Sequence, residues 1–74
     1  MKRTDIQVGR SYRRTYANGT VAIRTVTGDA DTRGNKDQDT VSYRVIAGVG
    51  VGRELVMTRH AFAKWAHAED VPGA

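Results

Sequence analysis

The stretch Ser11-Tyr12-Arg13-Arg14-Thr15-Tyr16-Ala17-Asn18-Gly19-Thr20-Val21-Ala22-Ile23-Arg24-Thr25-Val26 decides how this chain is read. Asn18-Gly19 is the preferred pair for a two-residue type I′ turn, which needs φ > 0 at both positions. Strand-forming residues flank it: Tyr12, Thr15 and Tyr16 before, Thr20, Val21, Ile23, Thr25 and Val26 after. The expectation is a β-hairpin of residues 10–16 against 20–27. A two-residue turn also sets the register. Ala17 then faces Thr20, Tyr16 faces Val21, Thr15 faces Ala22, Arg14 faces Ile23, Arg13 faces Arg24 and Tyr12 faces Thr25. Directly opposed arginines repel unless something negative lies between them. The Arg13–Arg24 pair is therefore the first functional clue.

The 74 residues suit one small domain, spanning 1–74. A chain of this size buries only roughly 60% of its unfolded surface, so its stability margin is thin. It has no cysteine, hence no disulfide and no thiolate metal site. The core must pack well or find a partner chain, a second copy included. Lack of cysteine fits a reducing cytoplasm. The charged N-terminus leads into no apolar h-region, and no apolar run approaches membrane length, so neither a targeting segment nor a membrane partner is expected.

The net charge is +4, from twelve basic and eight acidic residues. Residues 1–27 carry Lys2, Arg3, Arg10, Arg13, Arg14 and Arg24 against Asp5. Such a half suits an anionic partner such as nucleic acid, or it is a solubilising surface.

Outward from the hairpin, Ile6-Gln7-Val8-Gly9 is an edge strand or simply the approach to strand one. Val26 breaks the alternation of Val21 and Ile23, which calls for a bulge near Thr25 or burial of both faces there. Residues 28–39 hold almost nothing that could enter a core and read as a long mobile loop. Asp29, Asp31 and Gly34 superficially suit a calcium loop, but Arg33 and Thr40 stand where ligands are required. No metal is expected. Strand three, 40–47, alternates Val41, Tyr43 and Val45 against Ser42, Arg44 and Ile46. Gly48-Val49-Gly50-Val51-Gly52 lacks the spacing of a phosphate-binding loop and reads as a turn into strand four, 53–57. Thr58 suits an N-cap for a helix of about 59–68. Its apolar stripe is Ala61, Phe62, Trp65 and Ala66. Residues 70–74 read as a frayed tail.

Enzyme chemistry finds little support. His60 and His67 are seven residues apart, share a helix face only loosely and fit no metalloprotease spacing. The acids cluster in the loop, a poor place to hold a general acid. No cofactor is implied. Phe62 and Trp65 are a partner-binding pair or, on the blander reading, the residues that close the core on the sheet. Tyr12, Tyr16 and Tyr43 are stacking platforms for bases or core-edge residues. The register puts Tyr12, Arg14 and Tyr16 on one face with Val21 and Ile23. Arg14 would then snorkel at the rim or be turned out by a bulge. Arg13, Arg24 and Arg44 form an outward positive row if strand three pairs with strand two, and Arg10 and Arg14 complete the basic set. Arginine suits phosphate because its donors form a planar fork. Glu54 or the Asp-rich loop is the internal alternative that would neutralise the row.

The order of lead-in, hairpin, long polar loop, two strands, then Thr58-Arg59-His60-Ala61-Phe62-Ala63-Lys64-Trp65-Ala66 resembles the small SH3-like barrel proteins of bacteria and their phages. The resemblance rests on layout and on the Phe62/Trp65 ending. It implies a small curled barrel with a binding role, and it carries no site residues over. Together these readings give a mainly β fold: four to five antiparallel strands, as a curled sheet or SH3-like barrel, with one C-terminal helix. The expected function is a non-enzymatic binding module with a basic sheet face, for nucleic acid first. The alternative is a protein-interaction or inhibitor module, phage-derived in origin, that binds an acidic protein surface.

Overall fold

The structure is a computed structural model that describes residues 1–29 and 39–70. Asp31, Arg33 and Gly34, most of the 28–39 loop and nearly all of the 70–74 tail lie outside the described residues. The chain forms a 3₁₀ turn (Arg3–Asp5), strands β1 (Ser11–Thr15), β2 (Val21–Asp29), β3 (Thr40–Ala47) and β4 (Glu54–Thr58), helix α1 (Arg59–Trp65) and strand β5 (Ala68–Glu69). All five strands join one antiparallel sheet in the order β4-β3-β2-β1-β5. The sheet is open, with β4 and β5 at its edges. Among the described residues no helix is long and apolar enough to cross a membrane.

The hairpin exists, but its turn is one residue longer than expected. Gly19 N donates to Tyr16 O at 2.9 Å, and Tyr16 N donates to Thr20 O at 2.8 Å. Ala17, Asn18 and Gly19 make a three-residue loop, with Gly19 at φ 84°. This is the geometry of a turn followed by a left-handed residue, where glycine carries no Cβ penalty. Asn18 Oδ1 braces it by accepting from Thr20 N at 2.9 Å. The register becomes Thr15 with Val21, Arg14 with Ala22, Arg13 with Ile23, and Tyr12 with Arg24. A one-residue slip carries a strand's side chains to the opposite face. Val21 and Ile23 therefore leave the face shared by Tyr12 and Arg14. Ala22, Arg24 and Val26 take their place.

This also corrects the reading of Val26. It does not break an alternation; with Ala22 it continues the buried face of β2. Irregularities do occur, between Ile23 and Arg24 and between Val26 and Gly28, in the pairing of β2 with β3.

The core gathers on this inner face. Phe62 is fully buried at its centre, with ring centroids 5.5 Å from Tyr12, 5.6 Å from Tyr43 and 5.4 Å from Trp65. Tyr12 on β1 and Tyr43 on β3 both reach Phe62, so the sheet curls around the helix. Edge-to-face packing of this kind adds about 0.5–1.5 kcal/mol per pair beyond burial. Tyr12 Oη donates to Asp5 O at 2.5 Å and accepts from Gln7 N at 2.9 Å. These bonds hold the lead-in as an approach to β1 and bury Ile6.

The helix begins as expected: Thr58 Oγ1 accepts from Ala61 N at 3.1 Å. It ends at Trp65, three residues early, where Ala66 turns extended at φ −71°, ψ 125°. His67 N then donates to Arg13 O and Asp70 N to Ser11 O, both at 2.9 Å. Pairing with β1 satisfies backbone groups that a frayed helix end would leave to water, and a helix this short has little cooperativity of its own to resist. Arg59, at the helix start, donates to Asp29 Oδ1 at 2.6 Å, to Asp39 Oδ2 at 2.7 Å and to the Ile6 carbonyl. It joins the end of β2, the approach to β3 and the N-terminal lead-in.

Candidate anion-binding site

The expected row of Arg13, Arg24 and Arg44 does not form. Arg13 pairs with Ile23 on the outer face, and Arg44 shares that face, with Thr25 on one side and Glu54 on the other. Arg24 is on the inner face. The cause is the three-residue turn, which moved Arg24 opposite Tyr12. No direct Arg13–Arg24 repulsion exists. Glu54 is the register partner of Arg44, yet its Oε1 accepts from Thr27 Oγ1 at 2.9 Å. Arg10 is neutralised in part by Glu69 at 3.6 Å.

Two of the five arginines come together instead, on the concave face. The Arg24 guanidinium lies 4.1 Å from the Trp65 ring centroid and 4.8 Å from that of Tyr43. Its Nη1 reaches Met57 Sδ at 3.7 Å. Arg14 donates Nη1 to Trp65 O at 3.4 Å, and its guanidinium stands 5.3 Å from the Tyr16 ring centroid. Arg14 thus reaches along the inner face, as the snorkelling reading required. Tyr16 Oη accepts from Trp65 Nε1 at 3.2 Å. Trp65 is the common partner of Arg14, Arg24 and Tyr16.

A cleft of about 350 Å³ opens beside Arg24. Ala22 and Val45 form part of its apolar lining, and Tyr16, Asn18, Thr20 and Gly48 border it. Gly48 has φ 100°, and a Cβ there would come 3.0 Å from Ala22 Cβ and 3.2 Å from Ala22 Cα. The β3–β4 turn can approach β2 this closely because no side chain intervenes.

Arg14 and Arg24 stand apart because each combines an aromatic contact with the absence of an ion pair among the described residues. Among the described residues the ion pairs are Arg10–Glu69 and the two made by Arg59. Arg24 is half-buried and held by aromatic faces, with no carboxylate beside it among the described residues. A cation–π contact of this kind contributes about 0.5–2 kcal/mol but supplies no countercharge. The guanidinium's planar fork therefore remains matched to a phosphate or carboxylate from outside. A larger hollow of about 480 Å³ lies against Arg3 and Arg59, but there Arg59 already holds two aspartates.

The sequence reading missed the place of Arg24 and its stacking on Trp65. The signal was present as Ala22-Arg24-Val26, a period-two set with small and apolar ends. Glycine in the third place of a three-residue loop was the turn chemistry that would have exposed it. Among the described residues no three His, Cys, Asp or Glu side chains gather as a metal ligand set. Comparison with protein families, with curated proteins and with solved structures finds no match to this chain.

Proposed function

We propose that this chain is a non-enzymatic binding module for an anionic partner, nucleic acid first, engaged at the concave face through Arg24 and Arg14. The observation that carries the reading is Arg24, seated between Trp65 and Tyr43 with no acid beside it among the described residues. The surplus of positive charge draws a polyanion in, and the fixed guanidinium receives a phosphate. The resemblance in layout to small SH3-like barrel proteins belongs to this proposal and supports a binding role.

A second reading has its own support. On the outer face Val21, Ile46 and Val56 are exposed on the same side of the sheet as Arg13 and Arg44. Apolar side chains beside arginines that make no ion pair among the described residues suit an acidic protein surface. Fluorescence anisotropy with single- and double-stranded DNA and RNA across a salt series separates the two. The first reading expects binding whose logarithm falls linearly with log salt, at about 0.7–0.9 of slope per phosphate contact. No binding of any nucleic acid near physiological salt overturns it and promotes the protein partner.

A further inference from the structure

We infer that the concave cleft receives one unstacked base of a single-stranded nucleic acid, with an adjoining phosphate on Arg24. This rests on the nucleic-acid reading above and adds which form of nucleic acid the site selects. Five features of the cleft point the same way.

Its size, about 350 Å³, falls at the lower end of the range for small-ligand sites, about 300–1,000 Å³. Its lining has an apolar part, from Ala22 and Val45, that suits the flat face of a heterocycle. Tyr16 is partly exposed beside it, and the bond from Trp65 Nε1 holds its ring in place before any ligand arrives. A ring already held loses little entropy when a base stacks on it. Polar groups then stand on either side. Asn18 spends its Oδ1 on Thr20 N, which leaves its NH₂ donors for a base edge. Arg24 supplies the charge-assisted donors for the phosphate. At the rim, Val49 is 99% exposed between Gly48 and Gly50. It is an apolar side chain that the fold itself does not use.

A duplex cannot use such a cleft without giving up a base pair. Its bases are stacked inside and present only their edges in the grooves, whereas a single strand offers splayed bases with free faces. The expected selectivity is therefore for single strands. It is tolerant of sequence to the extent that stacking dominates, since every base has a π face.

The test uses the full chain with three probes of similar length: a single-stranded oligothymidylate of about a dozen nucleotides, the corresponding duplex, and inorganic polyphosphate, which has charge and no bases. The single strand should bind about tenfold tighter than the duplex, and Tyr16→Ala should cost it about fivefold or more while leaving polyphosphate within about twofold. Tyr16→Phe keeps the ring but loses the bond from Trp65 Nε1 that holds it, so its affinity should fall between those of the parent and Tyr16→Ala. The wild-type protein gives a readout that needs no variant. Its Tyr16 ring protons should move upfield on titration with the single strand and stay in place with polyphosphate. Equal affinity for single strand and duplex, with unmoved Tyr16 resonances, overturns this inference while the nucleic-acid reading stands. Failure of every nucleic acid to bind overturns both.

Discussion

Arg59 and Arg24 are both partly buried arginines on a chain of net positive charge, and the fold treats them in opposite ways. Arg59 is 17% exposed at its side chain and holds Asp29, Asp39 and the Ile6 carbonyl. Arg24 rests on Trp65 and Tyr43 and meets no acid among the described residues. Removing Arg59 breaks two ion pairs and a bond to the Ile6 carbonyl at a partly buried guanidinium, so Arg59 is bound into stability. An arginine held by ring faces and one weak contact to the Met57 thioether costs little to remove. The contrast teaches where to look for function: at the guanidinium whose surroundings position it without neutralising it.

The comparison rests first on Trp65, the platform of Arg24. Trp65→Ala should cost about 3–5 kcal/mol, read as a shift of the urea midpoint followed by far-ultraviolet circular dichroism. A loss below about 1 kcal/mol would mean that Trp65 belongs to a partner and not to the core. Next comes the clamp. Arg59→Met should cost about 1–3 kcal/mol, a value kept below that of a fully buried pair because Asp29 and Asp39 are 68% and 48% exposed. It should leave the salt slope of nucleic-acid binding unchanged. Arg24→Met sharpens the contrast. Its stability should stay within about 1 kcal/mol of the parent, since the lost cation–π contact is offset by the relief of a half-buried charge. Its nucleic-acid affinity should fall, and the slope of log affinity against log salt should drop by about one. If Arg24→Met unfolds the chain as readily as Arg59→Met does, the two arginines are alike and the proposed site is lost. The smallest effects belong to Arg13→Ala and Arg44→Ala, on the outer face. Each should change stability by less than about 0.5 kcal/mol. Single-strand binding should change by no more than twofold, at about one weak phosphate contact. A larger loss of binding in either one would return the site to the outer face.

Local chemistry made much of this molecule legible in the sequence. Residues 40–47 alternate without interruption, and β3 spans Thr40–Ala47 with Val41, Tyr43 and Val45 buried. Thr58 caps the helix it was expected to cap. Phe62 and Trp65 close the core. In each case the signal was a side-chain period or a capping oxygen, and neither depends on distant parts of the chain. The hairpin was equally visible, but its register was not. Asn18-Gly19 serves a two-residue turn and, one place later, a three-residue turn with glycine left-handed. The local backbone accommodates both. What separates them is which face of β2 meets the helix. The observed choice buries Ala22 and Val26 against the core and lays Arg24 across Trp65.

The hairpin, the cap and the surplus of arginine follow from local chemistry along the chain. The side of the sheet on which each arginine emerges, and the pairing of Ala68–Glu69 with β1 in place of more helix, depend on contacts across the fold. The physical reason is common to both. Strand register and edge pairing are settled by the apolar area and backbone hydrogen bonds gained between segments far apart in the chain. A period or a turn motif read locally carries no term for that gain.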